Sequence, residues 1–175
     1  MIKMIVALNS QGVIGKDNKI PWFYKGDLKF FKEQTTNHVV IMGRKTWESL
    51  PPKMRPLPNR VNIVVSSKSP TEIGMENISP TCMMARDMND ALKAAEEFGA
   101  GKDIWLIGGA SIYEEGMKLA NEMLISHVPD ELTDLEGAVF FPKFTDDWGL
   151  AATGVHPECP ELFVAQWVRS SQETT

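Results

Sequence analysis

The sequence predicts an α/β fold: a single domain on a central, mainly parallel, twisted sheet of about eight strands, flanked by about four helices. Three observations carry this. Apolar, β-rich runs alternate with helical patterns along most of the chain. Several runs are apolar on both faces, as the buried strands of a parallel sheet are. The stretch from Met123 onward carries strands but no convincing helix, so its strands are expected to pair antiparallel at one edge.

In chain order, Ile2 to Leu8 reads as the first strand. Asn9 to Lys25 follows as a long irregular segment whose Gly12 and Gly15 would let it move, and long loops in a compact domain often serve function. A helix runs from Asp27 to about Gln34, the acid in its first turn suiting the helix dipole. Val39 to Met42 is a strand, and a short helix begins after Gly43. Pro51 to Asn59, with Pro51, Pro52, Pro56 and Pro58, is a second irregular segment before the strand Val61 to Val65. The cleanest helix is Asp87 to Phe98: Asp87 caps it, Met88, Ala91, Leu92, Ala95 and Phe98 share one face, and Gly99 stops it. Ile104 to Ile107 is a strand, Ser111 to Leu119 a helix, and Met123 to Val128 and Leu162 to Val168 are strands. Residues 1–170 form the domain, and 171–175 read as a polar tail.

A chain of 175 residues, 43% hydrophobic, can bury one substantial core. Its net charge of −5 gives no overall attraction to nucleic acid or anionic membranes, so an anionic ligand must meet a local cluster of Lys and Arg. The opening apolar run is too short for a signal-peptide core and no segment is long enough to span a bilayer, which predicts a soluble cytoplasmic protein. Cys82 and Cys159 lie far apart outside any CxxC pattern, and His38, His127 and His156 lack ligand-like spacing, so no metal and no required disulfide are expected. No extended apolar repeat suggests a partner surface, which favours a monomer.

Three strand ends suit phosphate. In VVIMGRKTW a strand ends at Gly43 and a helix opens with Arg44, Lys45 and Thr46, so backbone N–H groups, two cations and a hydroxyl coincide. In VNIVVSSKS, Ser66, Ser67 and Lys68 follow a strand, and in IWLIGGASIY, Gly108 and Gly109 close a strand and open the next helix. Each alone also fits an ordinary solvated turn. Together they would share one edge of a parallel sheet and could face one dinucleotide, and the basic residues favour NADPH over NADH. Neither GxGxxG nor GxxxxGK[ST] is present.

In IPWFYKGDLKFFK, helical spacing brings Asp27, Phe30 and Phe31 together, with Leu28 and Lys32 beside them. An acid in a first helical turn can be a simple dipole partner. A carboxylate walled by apolar rings can instead bind the amidine-like edge of a flat heterocycle or help protonate it. No nucleophile motif or paired carboxylate competes, which makes Asp27 the main candidate.

These pieces, IVALNSQGVIG, IPW, DLKFFK, VVIMGRKTWESL, LPNRVNIVVSS, IGGASIY and FFP, resemble the dihydrofolate reductases in order and spacing from Met1 to about Val168. The resemblance implies a single-domain reductase of that fold. It would use NADPH to reduce 7,8-dihydrofolate to tetrahydrofolate by hydride transfer to pterin carbon 6, supporting one-carbon metabolism and thymidylate synthesis. Asp27 matches the active-site acid, and Ser126 stands where the family commonly has a Thr bonded to it. Trp22 would help hold a water, and Tyr113 would complete the catalytic set. Ile5, Leu28, Phe31, Leu50, Leu57, Ile107 and Tyr113 correspond to the pterin and benzoyl pocket. Arg60 matches the Arg that pairs with the glutamate tail's α-carboxylate, with Lys32 near the same tail.

On the cofactor side, Ala7 and Ile14 match residues whose backbone meets the nicotinamide amide, and Gly15 is a further expected cofactor-binding residue. Arg44, Ser67 and Lys68 match the 2'-phosphate site, and Ser66 and Arg86 are further expected cofactor-binding residues. Gly43, Lys45, Thr46 and the turn of Gly108, Gly109, Ala110, Ser111 and Ile112 match the pyrophosphate site. Ala138 and Val139 stand where many members have an acid that latches the mobile loop and a Thr, so closure is expected to be weaker or latched elsewhere. Ser111 replaces an Arg that some members use on the cofactor. Two rivals stay open: a same-fold reductase acting on a pyrimidine of riboflavin synthesis, and a catalytically silent binding protein.

Overall fold

The apolar run Ile2–Leu8 forms β1 near the middle of an eight-stranded sheet of order β5-β4-β3-β6-β1-β7-β10-β9 in the computed structural model, which describes residues 1–170. The tail expected at 171–175 lies outside the described residues. The strands are β3 (Val39–Gly43), β4 (Val61–Val65), β5 (Cys82–Ala85), β6 (Ile104–Leu106), β7 (Glu122–His127), β9 (Trp148–Val155) and β10 (Phe163–Arg169). All neighbours from β5 to β7 are parallel, and β10 pairs antiparallel with both β7 and β9. The antiparallel edge expected after Met123 is therefore present.

Alternation along the central strands sends side chains to two cores, because successive Cβ atoms point to opposite faces. Met4, Val39, Ile41, Val61 and Ile63 face one cluster, covered by α3 (Met88–Phe98) and α4 (Ala110–Leu119). Ile5, Val40, Met42 and Val64 face the other, where Phe30 of α1 (Lys25–Thr35) and Trp47 of α2 (Arg44–Ser49) pack. The sheet is thus covered on both sides, as an apolar-on-both-faces pattern requires.

Four differences from the sequence reading have physical causes. The segment Asn9 to Lys25 is not irregular throughout: Val13–Lys16 forms β2, which pairs antiparallel with β8 (Ala138–Phe140) in a small second sheet. β5 escaped notice because Cys, Met and Ala carry little β signature, and it is strand because it lines up on β4. β9 is rich in Gly and Ala, and forms because β10 supplies a ladder partner along its whole length. Phe98 is exposed rather than on the buried face of α3. Gly99 takes the inward position after Ala95, and a Cβ there would come within 2.3 Å of Val39 Cγ2. Gly99 is needed for that approach, since its φ of −130° is open to any residue. Asp87 caps α3 as expected, accepting from the Asp90 N–H at 2.8 Å.

Candidate active site

Parallel strands end on one edge, and here that edge gathers the three loops. Gly43 pairs with Val65, and Val65 with Ala85, so Ser66, Ser67 and Lys68 leave the sheet beside Gly43 on one side and Arg86 on the other. The Ser66 N–H donates to Ala85 O at 3.0 Å, and Ser66 Oγ accepts from the Lys68 N–H at 3.0 Å. Ser67, Lys68 and Arg86 are exposed. The Gly43 N–H donates to Gly108 O at 2.8 Å, which ties the start of α2 to the turn before α4.

A Cβ built on Gly43 would lie 3.5 Å from Ile112 Cγ1, and one on Gly109 3.8 Å from Thr46 Oγ1. The two helix starts therefore face each other across Gly108 and Gly109, which are joined by a cis peptide. Gly108 has a φ of +112°, a conformation that only glycine adopts readily. Ala110 begins α4 and Ser111 is exposed. Arg44 is already engaged: its Nη1 donates to both Glu48 carboxylate oxygens, at 3.1 and 2.9 Å, leaving Nε and Nη2 for another anion. Lys45 is exposed. Polar N–H groups, hydroxyls and cations thus converge on one cleft edge, and this donor set fits a phosphorylated dinucleotide.

Beside this edge, Ala7 of β1 is in register with Ser126 of β7. Ser126 Oγ donates to Asp27 Oδ1 at 2.7 Å, crossing from the sheet to the first turn of α1. His156 also reaches Asp27 Oδ1, with Nε2 at 3.0 Å. Sequence reasoning missed this contact; His156 stands in an unpatterned turn, and nothing in its spacing signals it. The Asp27 side chain is 21% exposed, and Oδ2 has no protein partner among the described residues.

Ile5, Phe31, Leu50, Leu57 and Ile107 belong to one apolar cluster. Leu28 of α1 is exposed. Tyr113 is buried in the opposite cluster, and burial pushes its phenol well above the usual range, so the neutral hydroxyl donates to Ile5 O at 2.8 Å. That bond ties α4 to the strand flooring the cleft. Among the described residues the buried Trp22 indole N–H has no protein partner, a donor suited to a water.

Arg60 is buried at the other end of α1. Its Nη1 donates to Thr35 Oγ1 at 3.1 Å, its Nε donates to Pro58 O at 2.9 Å, and the guanidinium lies 5.9 Å from the Phe31 ring centroid. Burial pulls its pKa below the usual value, and among the described residues no carboxylate pairs with it. Lys32 is exposed nearby on α1.

Asn62, which the sequence reading also passed over, holds the proline-rich loop. Fully buried in β4, it accepts from the Leu57 N–H at 2.8 Å and donates to Leu57 O and Arg60 O at 2.9 and 3.0 Å. A lone amide inside the apolar run VNIVV was the available signal. Asn62→Ala strands these buried backbone groups and is expected to cost about 2–4 kcal/mol in denaturant unfolding. A loss under about 0.5 kcal/mol would contradict the clamp.

The loop expected to be weakly latched is held firmly. Its β2 pairs through backbone with Ala138 and Val139 themselves, and the Phe141 N–H donates to Gly12 O at 2.9 Å. Lys16 Nζ reaches Asp134 O at 2.7 Å, and Gln11 exchanges side-chain bonds with the Leu132 backbone at 3.0 and 2.9 Å. Backbone pairing needs no acid at Ala138, so of the two alternatives weak closure is corrected, while side-chain contacts at Asp134 and Leu132 supply a latch elsewhere. Asn9 starts the loop by accepting from the Gln11 and Val13 N–H groups at 3.0 and 2.9 Å. Ile14 and Gly15 are half-buried on β2. Cys82 and Cys159 are buried free thiols, and no cluster of potential metal ligands occurs among the described residues. No helix there is long and apolar enough to cross a membrane.

A family model described as dihydrofolate reductase matches residues 1–161. The dihydrofolate reductase of Buchnera aphidicola subsp. Acyrthosiphon pisum is 41% identical over 143 residues, 82% of this chain and 80% of that protein. That of Bacillus subtilis is 35% identical over 154 residues, 87% of this chain and 83% of that protein. A solved structure, the Enterococcus faecalis dihydrofolate reductase complexed with NADP(H) and RAB-propyl, superposes with a TM-score of 0.78 at 28% identity, covering 97% of this chain and 96% of that one. The acid on α1, the basic loops at the sheet edge and these matches agree: the chain belongs to the dihydrofolate reductase family.

Proposed function

We propose that the chain reduces 7,8-dihydrofolate to tetrahydrofolate with NADPH. The observation that carries the reading is the arrangement along α1. Asp27 lies in the first turn and Arg60 is bonded to Thr35, eight residues on, which sets an acid and a cation about 12 Å apart along the helix. Between them lie the apolar side chains of Phe31, Leu57 and Ile107. A flat ring with an amidine-like edge, an apolar spacer and a terminal carboxylate matches that order of groups.

Each residue then has a task. Asp27 accepts from the pterin's 2-amino group and ring nitrogen through Oδ2, while Ser126 holds Oδ1. Ile5, Leu28, Phe31, Leu50, Leu57 and Ile107 line the ring and benzoyl pocket and exclude water, and Tyr113 supports the strand beneath them through its bond to Ile5 O. Arg60 binds the α-carboxylate as a planar fork, with Lys32 at the rim. Trp22 orients the water that delivers a proton to nitrogen 5. Ala7, Ile14 and Gly15 would hold the nicotinamide. Gly43, Lys45, Thr46 and Gly108 to Ile112 would hold the pyrophosphate, and Arg44, Ser66, Ser67, Lys68 and Arg86 the 2'-phosphate. NADPH, when bound, supplies the hydride; the protein's share is positioning, electrostatics and dryness.

The protein acts as a cytoplasmic monomer. Light scattering at working concentration tests the oligomeric state, since the open edge of β9 carries exposed Leu150 and Val155. Activity is tested by following NADPH absorbance on adding dihydrofolate, with NADH as control. Oxidation at least tenfold faster with NADPH than with NADH is expected from several charge-assisted contacts to one phosphate. Absence of turnover by folded protein would overturn the reading, and turnover of a pyrimidine in place of dihydrofolate would favour the same-fold rival.

A further inference from the structure

His156 is a buried ring with both nitrogens engaged. Its Nδ1 accepts from the Glu158 N–H at 3.1 Å, so the proton sits on Nε2, which donates to Asp27 Oδ1 at 3.0 Å. A ring protonated on both nitrogens could not fill that acceptor role. The ring packs edge-on to Phe30, with centroids 4.7 Å apart, so α1 and the β9–β10 turn grip it together.

The turn itself is seated on α1 by two independent contacts. Lys29 Nζ pairs with Glu158 at 2.9 Å. A Cβ on Gly26 would lie only 2.0 Å from Glu158 O, so the absence of a side chain at Gly26 admits the turn. The surrounding elements also carry Lys25, Lys32 and Glu33 on α1, Glu122 and His127 on β7, and Cys159 and Glu161 in the turn. Tyr24, just before α1, donates to Asp130. Within this set, Asp27 is the group bonded to Nε2.

We infer that His156 is a positioning residue for Asp27: as a neutral N–H donor it fixes the carboxylate from the side opposite the substrate, sharing Oδ1 with Ser126 and leaving Oδ2 for the pterin. Two donors on one oxygen fix the carboxylate plane more tightly than the Ser126 hydroxyl alone. This inference rests on the reductase reading of the site.

The test compares His156→Phe, which keeps a ring against Phe30 but has no donor, with His156→Gln, whose amide can place an N–H near the Nε2 position. Reduction consumes a proton, so the hydride-transfer rate falls as pH rises. The Nε2–H bond is made to the carboxylate that meets the substrate, so its loss in His156→Phe should change the single-turnover pH profile. The KM for dihydrofolate should rise about tenfold. NADPH binding should be unchanged, and His156→Gln should recover most of both effects. A His156→Phe profile that overlays the parent, or a Gln variant as altered as Phe, overturns the inference.

Nitrogen NMR of the histidine rings in the unsubstituted protein is a second test that needs neither variant nor substrate. A His156 ring with its proton on Nε2 supports the assignment, and one protonated at Nδ1 overturns it. Failure of the parent to oxidise NADPH with dihydrofolate would instead sink the reductase reading, leaving the ring measurement to decide the His156–Asp27 bond alone.

Discussion

Asp27→Asn is expected to lower NADPH oxidation with dihydrofolate by roughly 10²- to 10⁴-fold at neutral pH, the range for loss of a group that governs a proton in the transition state. Asn keeps the volume and can still accept from Ser126 and His156 at one oxygen, so the fold should survive. The change falls at the other atom. Where Oδ2 presents a negative acceptor to the pterin's N–H edge, an amide would present its own N–H groups, so donors meet donors and the charge is lost. The deficit should shrink in acid, where the substrate is protonated from solution without help from the protein. Single-turnover rates at several pH values, with circular dichroism to check folding, decide the matter. Activity within about threefold of the parent across the range would remove Asp27 from the chemistry.

Arg60→Ala is expected to raise the KM for dihydrofolate by roughly 10- to 100-fold with little change in kcat, the worth of one or two hydrogen bonds between charged groups. A cation this buried meets only the neutral acceptors of Thr35 and Pro58 and the Phe31 ring, with no carboxylate partner among the described residues. The missing counter-charge is therefore assigned to the ligand. Arg60→Lys should fall between the parent and Ala, because a point charge replaces a fork that also bonds Thr35 and Pro58. A pterin substrate lacking the glutamate tail gives the control: its kinetics should be indifferent to both changes. An equal loss with the truncated substrate would mean that Arg60 shapes the pocket and does not bind the tail.

Legibility in the sequence followed the range of the forces involved. β1, β3, β4, β6, β7 and β10 and all four helices stood out because burial on one or both faces imposes a period on the chain itself. Asp87 and its capping bond lie within three residues of each other and were equally readable. The loops at Gly43, Ser66 and Gly108 could be recognised as anion-ready from local chemistry, and the ordered set of motifs pointed to the family.

What the tertiary structure alone decided lies between residues far apart in the chain. β9 owes its ladder to β10, and β2 is paired to β8 across more than a hundred residues, so neither needs a pattern of its own. Asn62 is a clamp only because the loop folds back over it, and Phe98 turns outward only because Gly99 meets Val39. His156 bonds Asp27 across 129 residues, through a turn that fits against α1 because Gly26 has no side chain. The sequence by itself determined the fold class, the family and the candidate site residues, since these are written in local periodicity and ordered motifs. Which donors hold the acid, what latches the loop and where the buried cation is left unpaired were decided by packing, because hydrogen bonds and desolvation depend on distances that only the folded chain sets.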